Sequence, residues 1–79
     1  MAKPTVALSF GKVLQKQRKA KGFSQEALAE KAQVHPTYIG LVERGLRNPS
    51  LNVAASLAKA LGFSLSEMIS QAEKLQRGN

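Results

Sequence analysis

Apolar residues along this chain recur at intervals of three and four, and no run of β-branched residues alternates with polar ones. That pattern predicts helices and argues against strands. Five segments can be drawn. The first runs from Ser9 to Lys21, with Phe10, Val13, Leu14 and Gln17 on one face and Gly22 as its C′ residue. Arg18, Lys19 and Lys21 complement the dipole of its last turn. Thr5 is an alternative start, since it is also a fair cap. The second opens on Ser24, carries Glu26 in its first turn and ends near Gln33, with Ala27, Leu28, Ala29 and Ala32 as a small-residue inner face. The third opens on His35, with Pro36 at the first helical position, where a missing N–H costs nothing; Gly45 ends it. After a loop over 46–50, Ser50 caps a fourth segment from Leu51 to Leu61, closed by Gly62. Ser64 and Glu67 are spaced as a capping box that opens the fifth, with Leu65, Met68, Ile69, Ala72 and Leu75 on its apolar face.

The expected fold class is all-α, a compact five-helix domain over residues 9–76. Residues 1–8 form an N-terminal arm, flexible or extending the first helix, and 77–79 a frayed tail. A chain of 79 residues buries only roughly 60–65% of its unfolded surface, so it gains from oligomerisation.

Composition narrows the chemistry. Cys is absent and His occurs once, so thiol catalysis, zinc–thiolate sites and multi-histidine metal sites are excluded. His35 reads as a cap, since no second His and no paired carboxylate accompanies it. No metal, cofactor, small-molecule ligand or enzymatic activity is expected. The formal net charge of +7 points to a polyanion. Lys3, Lys12, Lys16, Arg18, Lys19 and Lys21 precede the first acid, Glu26. An anionic membrane surface is the weaker partner, because the narrow apolar stripe of the first segment is needed for the core. The apolar N-terminal stretch is too short for a signal peptide, and no window reaches the roughly 20 apolar residues of a membrane span. A cytoplasmic location is expected.

The second and third segments meet across a tight turn. Ala29 is small where the helices cross, Val34 plugs the turn, and Ile39 and Val42 face the core. Pro36, Thr37, Gly40, Leu41 and Arg44 remain outside. A short helix with one unencumbered end suits a major groove about 12 Å wide.

The spacing Phe10-Gly11-x-x-Leu14-x-x-x-Arg18-x-x-x-Gly22-x-Ser24-Gln25-x-x-Leu28-Ala29, followed by Tyr38-Ile39-x-x-x-Glu43-Arg44-Gly45-x-Arg47-Asn48-Pro49-Ser50 and Leu57-Ala58-x-x-Leu61-Gly62, resembles the Xre/Cro-repressor helix-turn-helix family. Within it the chain is most similar to small controller proteins of restriction–modification systems. The resemblance covers residues 10–70. It implies a lambda-repressor-like DNA-binding domain with residues 36–44 as recognition helix in the major groove of double-stranded DNA. It implies base contacts from Thr37, Tyr38, Arg47 and Leu41, although Leu41 reads equally as partly buried. It implies phosphate contacts from Gln25, Ser24, Arg44, Asn48, Ser50 and Lys21, with the remaining cations of the first segment steering and holding DNA. Pro36 replaces the polar or basic residue common there, which shifts readout toward Thr37, Arg47 and DNA shape. Arg18 and Glu43 match a structural ion pair.

These roles describe a transcriptional regulator acting as a homodimer on a palindromic operator, with RNA polymerase a further candidate partner. The stripe Leu65, Met68, Ile69 and Ala72 reads as monomer core or as the dimer seam, and is assigned to the seam. An antitoxin-like or adaptor protein, acting through a protein partner, is the alternative.

Overall fold

The computed structural model describes residues 5–78. Among them are five helices: α1 (Val6–Ala20), α2 (Gln25–Ala32), α3 (Pro36–Glu43), α4 (Leu51–Ala60) and α5 (Leu65–Gln76). Each starts on a side chain that accepts one of the N–H groups a helix leaves unpaired at its first turn. Ser24 Oγ accepts from Ala27 N–H at 3.0 Å and Ser50 Oγ from Val53 N–H at 3.1 Å. His35 Nδ1 accepts from Thr37 N–H at 3.1 Å. The capping box at α5 is complete: Glu67 N–H donates to Ser64 Oγ, and Ser64 N–H donates to Glu67 Oε1 at 2.7 Å.

The boundaries follow the sequence pattern closely, with one correction at the start. Of the two caps open to α1, Thr5 is used and Ser9 is not. Thr5 Oγ1 accepts from Leu8 N–H at 3.0 Å, and Ser9 is buried inside the helix. Residues 6–8 therefore extend α1, the second of the two possibilities open for them. Residues 1–4 and Asn79, the rest of the expected arm and tail, lie outside the described residues.

Phe10, Leu14, Leu28, Ile39, Val42, Leu57, Leu61 and Met68 form the fully buried centre, to which all five helices contribute. A second correction follows. Met68 and Ala72, expected at a subunit seam, are both 0% exposed and belong to this core. The inner face of α5 is taken up by its own chain, where α1 packs along it. Leu65 and Ile69 lie at the edge of the core and remain half-buried.

Two features bring α1 and α3 together. A Cβ on Gly11 would strike the Val42 carbonyl oxygen, so glycine lets the two backbones touch. Gly45, at φ +73°, ends α3 in the left-handed region that favours glycine, and a Cβ there would strike the Leu8 side chain of α1.

Candidate nucleic-acid interface

The α2–α3 turn is built without glycine. Gln33 takes the left-handed conformation itself (φ 59°, ψ 45°), and Val34 N–H donates back to the Ala29 carbonyl at 2.9 Å. Val34 packs against the core as expected, and Ala29 is buried where the helices cross. Pro36 then opens α3 in the first turn, where its fixed φ fits the helix.

One end of α3 is held by a polar knot. Arg18 Nε donates to Glu43 Oε2 at 2.6 Å and Arg18 Nη2 to Glu43 Oε1 at 3.2 Å. Arg18 Nη1 donates to the Phe23 carbonyl at 2.8 Å, which also fixes the α1–α2 turn. Gln25 Nε2 donates to Glu43 Oε1 at 3.0 Å, and Gln15 Nε2 reaches the same oxygen at 3.5 Å. The Glu43 side chain is only 1% exposed. Burying a carboxylate is costly unless charge and hydrogen bonds compensate it. Here both are present, and α1, α2 and α3 are tied at one carboxylate.

The other side of α3 is open. Thr37 and Arg44 are exposed, while Gly40 and Leu41 are half-buried. Tyr38 is half-buried against the core. Arg44 lies back along the helix, its Nε donating to the Gly40 carbonyl at 3.2 Å. Arg47 and Asn48 are exposed in the loop leading to Ser50 and α4.

The start of α2 adjoins this open face. The Gln25 carboxamide lies over Gly40, 3.5 Å from where a Cβ would stand. A carboxamide nitrogen carries two hydrogens, so one can hold Glu43 while the other is offered outward. Sequence reasoning missed the bond from Gln25 to Glu43; the signal was Gly40, which leaves room for Gln25 on α3. Ser24 and Ser50 use their oxygens as caps, and their hydroxyl hydrogens remain available as donors. The positive dipole ends of α2 and α4 favour anions at these two caps.

Lys21 does not join this group. Its Nζ lies 3.7 Å from where a Cβ on Gly62 would stand, beyond the C-terminal end of α4. That is about 15 Å along α4 from Ser50. Lys12 and Lys16 lie on the side of α1 turned away from α3, where α1 meets α5. Most of the cations that precede Glu26 therefore do not line the open side of α3. Linear charge counting could not show this, because helix rotation distributes neighbouring lysines around the axis.

No group of His, Asp and Glu among the described residues is arranged to hold a metal ion. No helix of the described residues is long and apolar enough to cross a membrane.

A family model described as "Helix-turn-helix" matches residues 14–68. The control protein C.MunI from a Mycoplasma species is 39% identical over 70 residues, covering 87% of this chain and 95% of its own. The restriction–modification controller protein C.AhdI from Aeromonas hydrophila superposes with a TM-score of 0.75 at 44% identity, covering 78% of this chain and 94% of its own. SinR, a master regulator for biofilm formation solved in complex with DNA, superposes with a TM-score of 0.70 at 35% identity, covering 75% and 95%.

Proposed function

The chain belongs to the helix-turn-helix family of DNA-binding transcriptional regulators, and on that premise we propose that it acts as a homodimer on a pseudo-palindromic operator, in the manner of a restriction–modification controller. The observation that carries the reading is the two-sided construction of α3: its inner side is fixed by Ile39, Val42 and the Glu43 knot, while Thr37 projects unencumbered. In this reading Thr37, Leu41 and Arg47 meet base edges, and Tyr38 reaches a base edge or phosphate. Ser24, Gln25, Arg44, Asn48 and Ser50 engage phosphates, which position the helix without specifying sequence.

The dimer seam is assigned to the outer edge of α5 with its neighbours. Leu65 and Ile69 remain from the expected set. An apolar groove of about 170 Å³ continues from Ile69 past Phe10 and Ala54 to Val6 and Leu51. Leu51 is 76% exposed, a large apolar side chain with little of its own fold to cover it. Two copies joined by a two-fold axis place their recognition helices about 34–36 Å apart, one helical turn of DNA.

Selection of bound duplexes from a random pool, followed by salt titration, tests the reading. A palindrome with half-sites about 10 bp apart is expected, with affinity falling steeply as salt rises. Recovery of no shared sequence, or a flat salt response, overturns it. Sedimentation of Leu51→Asp and Ile69→Asp checks the seam: both variants should shift toward monomer, and unchanged dimerisation places the seam elsewhere.

A further inference from the structure

The two long sides of α1 differ in chemistry. Gly11, Gln15 and Arg18 face α3, as the close backbone approach and the bonds to Glu43 show. At about 100° per residue, Lys12, Lys16 and Val13 lie roughly 100–200° round the helix from Gly11. There they meet Gln71, Lys74 and Leu75 of α5 and line a cleft of about 230 Å³. A hydrogen bond of 2.9 Å from Gln17 Nε2 to Gln71 Oε1 holds the two helices together beside it. The floor is apolar: Val13 is buried and Leu75 is 43% exposed. The rim is cationic. Lys12, Lys16 and Lys74 are exposed, and none is in the one salt bridge found among the described residues. Lys12 and Lys16 stand one turn apart, a spacing at which like charges repel. The nearest acid in sequence is Glu73, which lies about 100° round α5 from Lys74.

We propose that this cleft is a docking surface for an acidic, amphipathic segment of another protein, its carboxylates meeting Lys12, Lys16 and Lys74 and an apolar side chain meeting Leu75. Charge complementarity selects that occupant. A second copy of this chain is poorly suited, since it carries the same net charge of +7, and of its five acids Glu43 is buried in the ion pair and Glu67 caps α5, which leaves Glu26, Glu30 and Glu73. A DNA backbone offers nothing apolar to Leu75, and the cleft lies on the side of α1 turned away from the recognition helix. The surface is separate from the DNA-binding reading and does not depend on it.

The test uses the whole chain and a synthetic helical peptide of about 15 residues with Glu and Leu on one face. On titration into ¹⁵N-labelled protein, amide shifts are expected around Lys12, Val13, Lys16 and Leu75. No binding, or shifts centred on Thr37 and Gly40, overturns the proposal. Lys12→Gln combined with Lys16→Gln should weaken the peptide about tenfold while changing affinity for a selected duplex less than about threefold. Leu75→Gln should weaken the peptide with no change in net charge, which attraction by charge alone would not produce. Unchanged peptide affinity in these variants overturns the cleft. Equal losses of peptide and duplex make the lysine stripe a DNA contact and overturn it too. Thermal unfolding confirms that these surface variants fold.

Discussion

On the inner side of α3, Ile39 and Val42 are wholly buried and both carboxylate oxygens of Glu43 have partners; on the outer side, Thr37 and Arg44 are exposed. The two sides belong to a helix of eight residues. A helix this short has little intrinsic stability in water, so its position must come from packing. The inner side supplies that position through a close backbone approach at Gly11 and a carboxylate shared by three helices. The outer side keeps local contacts, such as Arg44 Nε donating to the Gly40 carbonyl, and leaves Thr37 exposed. The residues that place α3 and those proposed to read DNA thus lie only a turn apart, and substitutions on the two sides should fail in different ways.

The largest effect is expected at Glu43. Replacing it with Ala leaves the Arg18 guanidinium buried without its counter-charge, and breaking such a pair costs about 3–5 kcal/mol. Urea unfolding should show that loss, with DNA binding falling with the folded fraction and with the release of Gln25, which Glu43 holds. Normal stability with lost binding would mean that the inner side also reads DNA. Thr37→Ala should behave in the opposite way. Stability should stay within about 0.5 kcal/mol, as at other exposed sites. Discrimination at one base pair of each half-site should fall by about 1–3 kcal/mol. Competition binding against duplexes varied at each position measures this, and an unchanged preference removes Thr37 from the base-reading set.

His35 joins the two sides, because its imidazole caps the helix from which Thr37 projects. His35→Ala should lower stability by about 1 kcal/mol, and His35→Asn should restore most of it. A melting temperature unaffected by either change would show that packing alone sets the start of α3.

Local signals made most of this architecture readable in advance. Ser24, His35, Ser50 and the Ser64–Glu67 pair each mark a helix start by their own short-range chemistry, and all five helices lie where the period of three and four puts them. The choice between Thr5 and Ser9 was not readable, because both are adequate caps and burial of Ser9 decides between them. The assignment of Met68 and Ala72 failed for a related reason. An apolar stripe states that something covers it, and only the tertiary fold shows that α1 does so. The candidate site was legible as far as exposure goes, as at Thr37, Arg47 and Asn48. It was not legible where the role is relational. Gln25 reaches Glu43 across eighteen positions of sequence, and Lys21 turns toward the far end of α4.

The smallest expected effect lies outside α3 and calibrates the Glu43 result. Glu67 is a carboxylate too, but an exposed one, and its partners are the Ser64 backbone N–H and the Ser64 hydroxyl. The backbone bond, followed by the side-chain bond, holds its pKa below the ordinary value of 4.5. The folded state therefore favours the ionised form. The stability this adds is complete above the unfolded value near 4.5 and is lost as pH falls through the lower folded value. Gln at 67 keeps a carbonyl acceptor for the cap and removes only the charge. Thermal unfolding of wild type and Glu67→Gln should show a small gap at neutral pH that closes under acid. A gap that acid leaves unchanged would mean that the ionised form adds nothing at this cap. The two carboxylates then separate what a glutamate contributes by burial in a network from what it contributes by charge at a helix end.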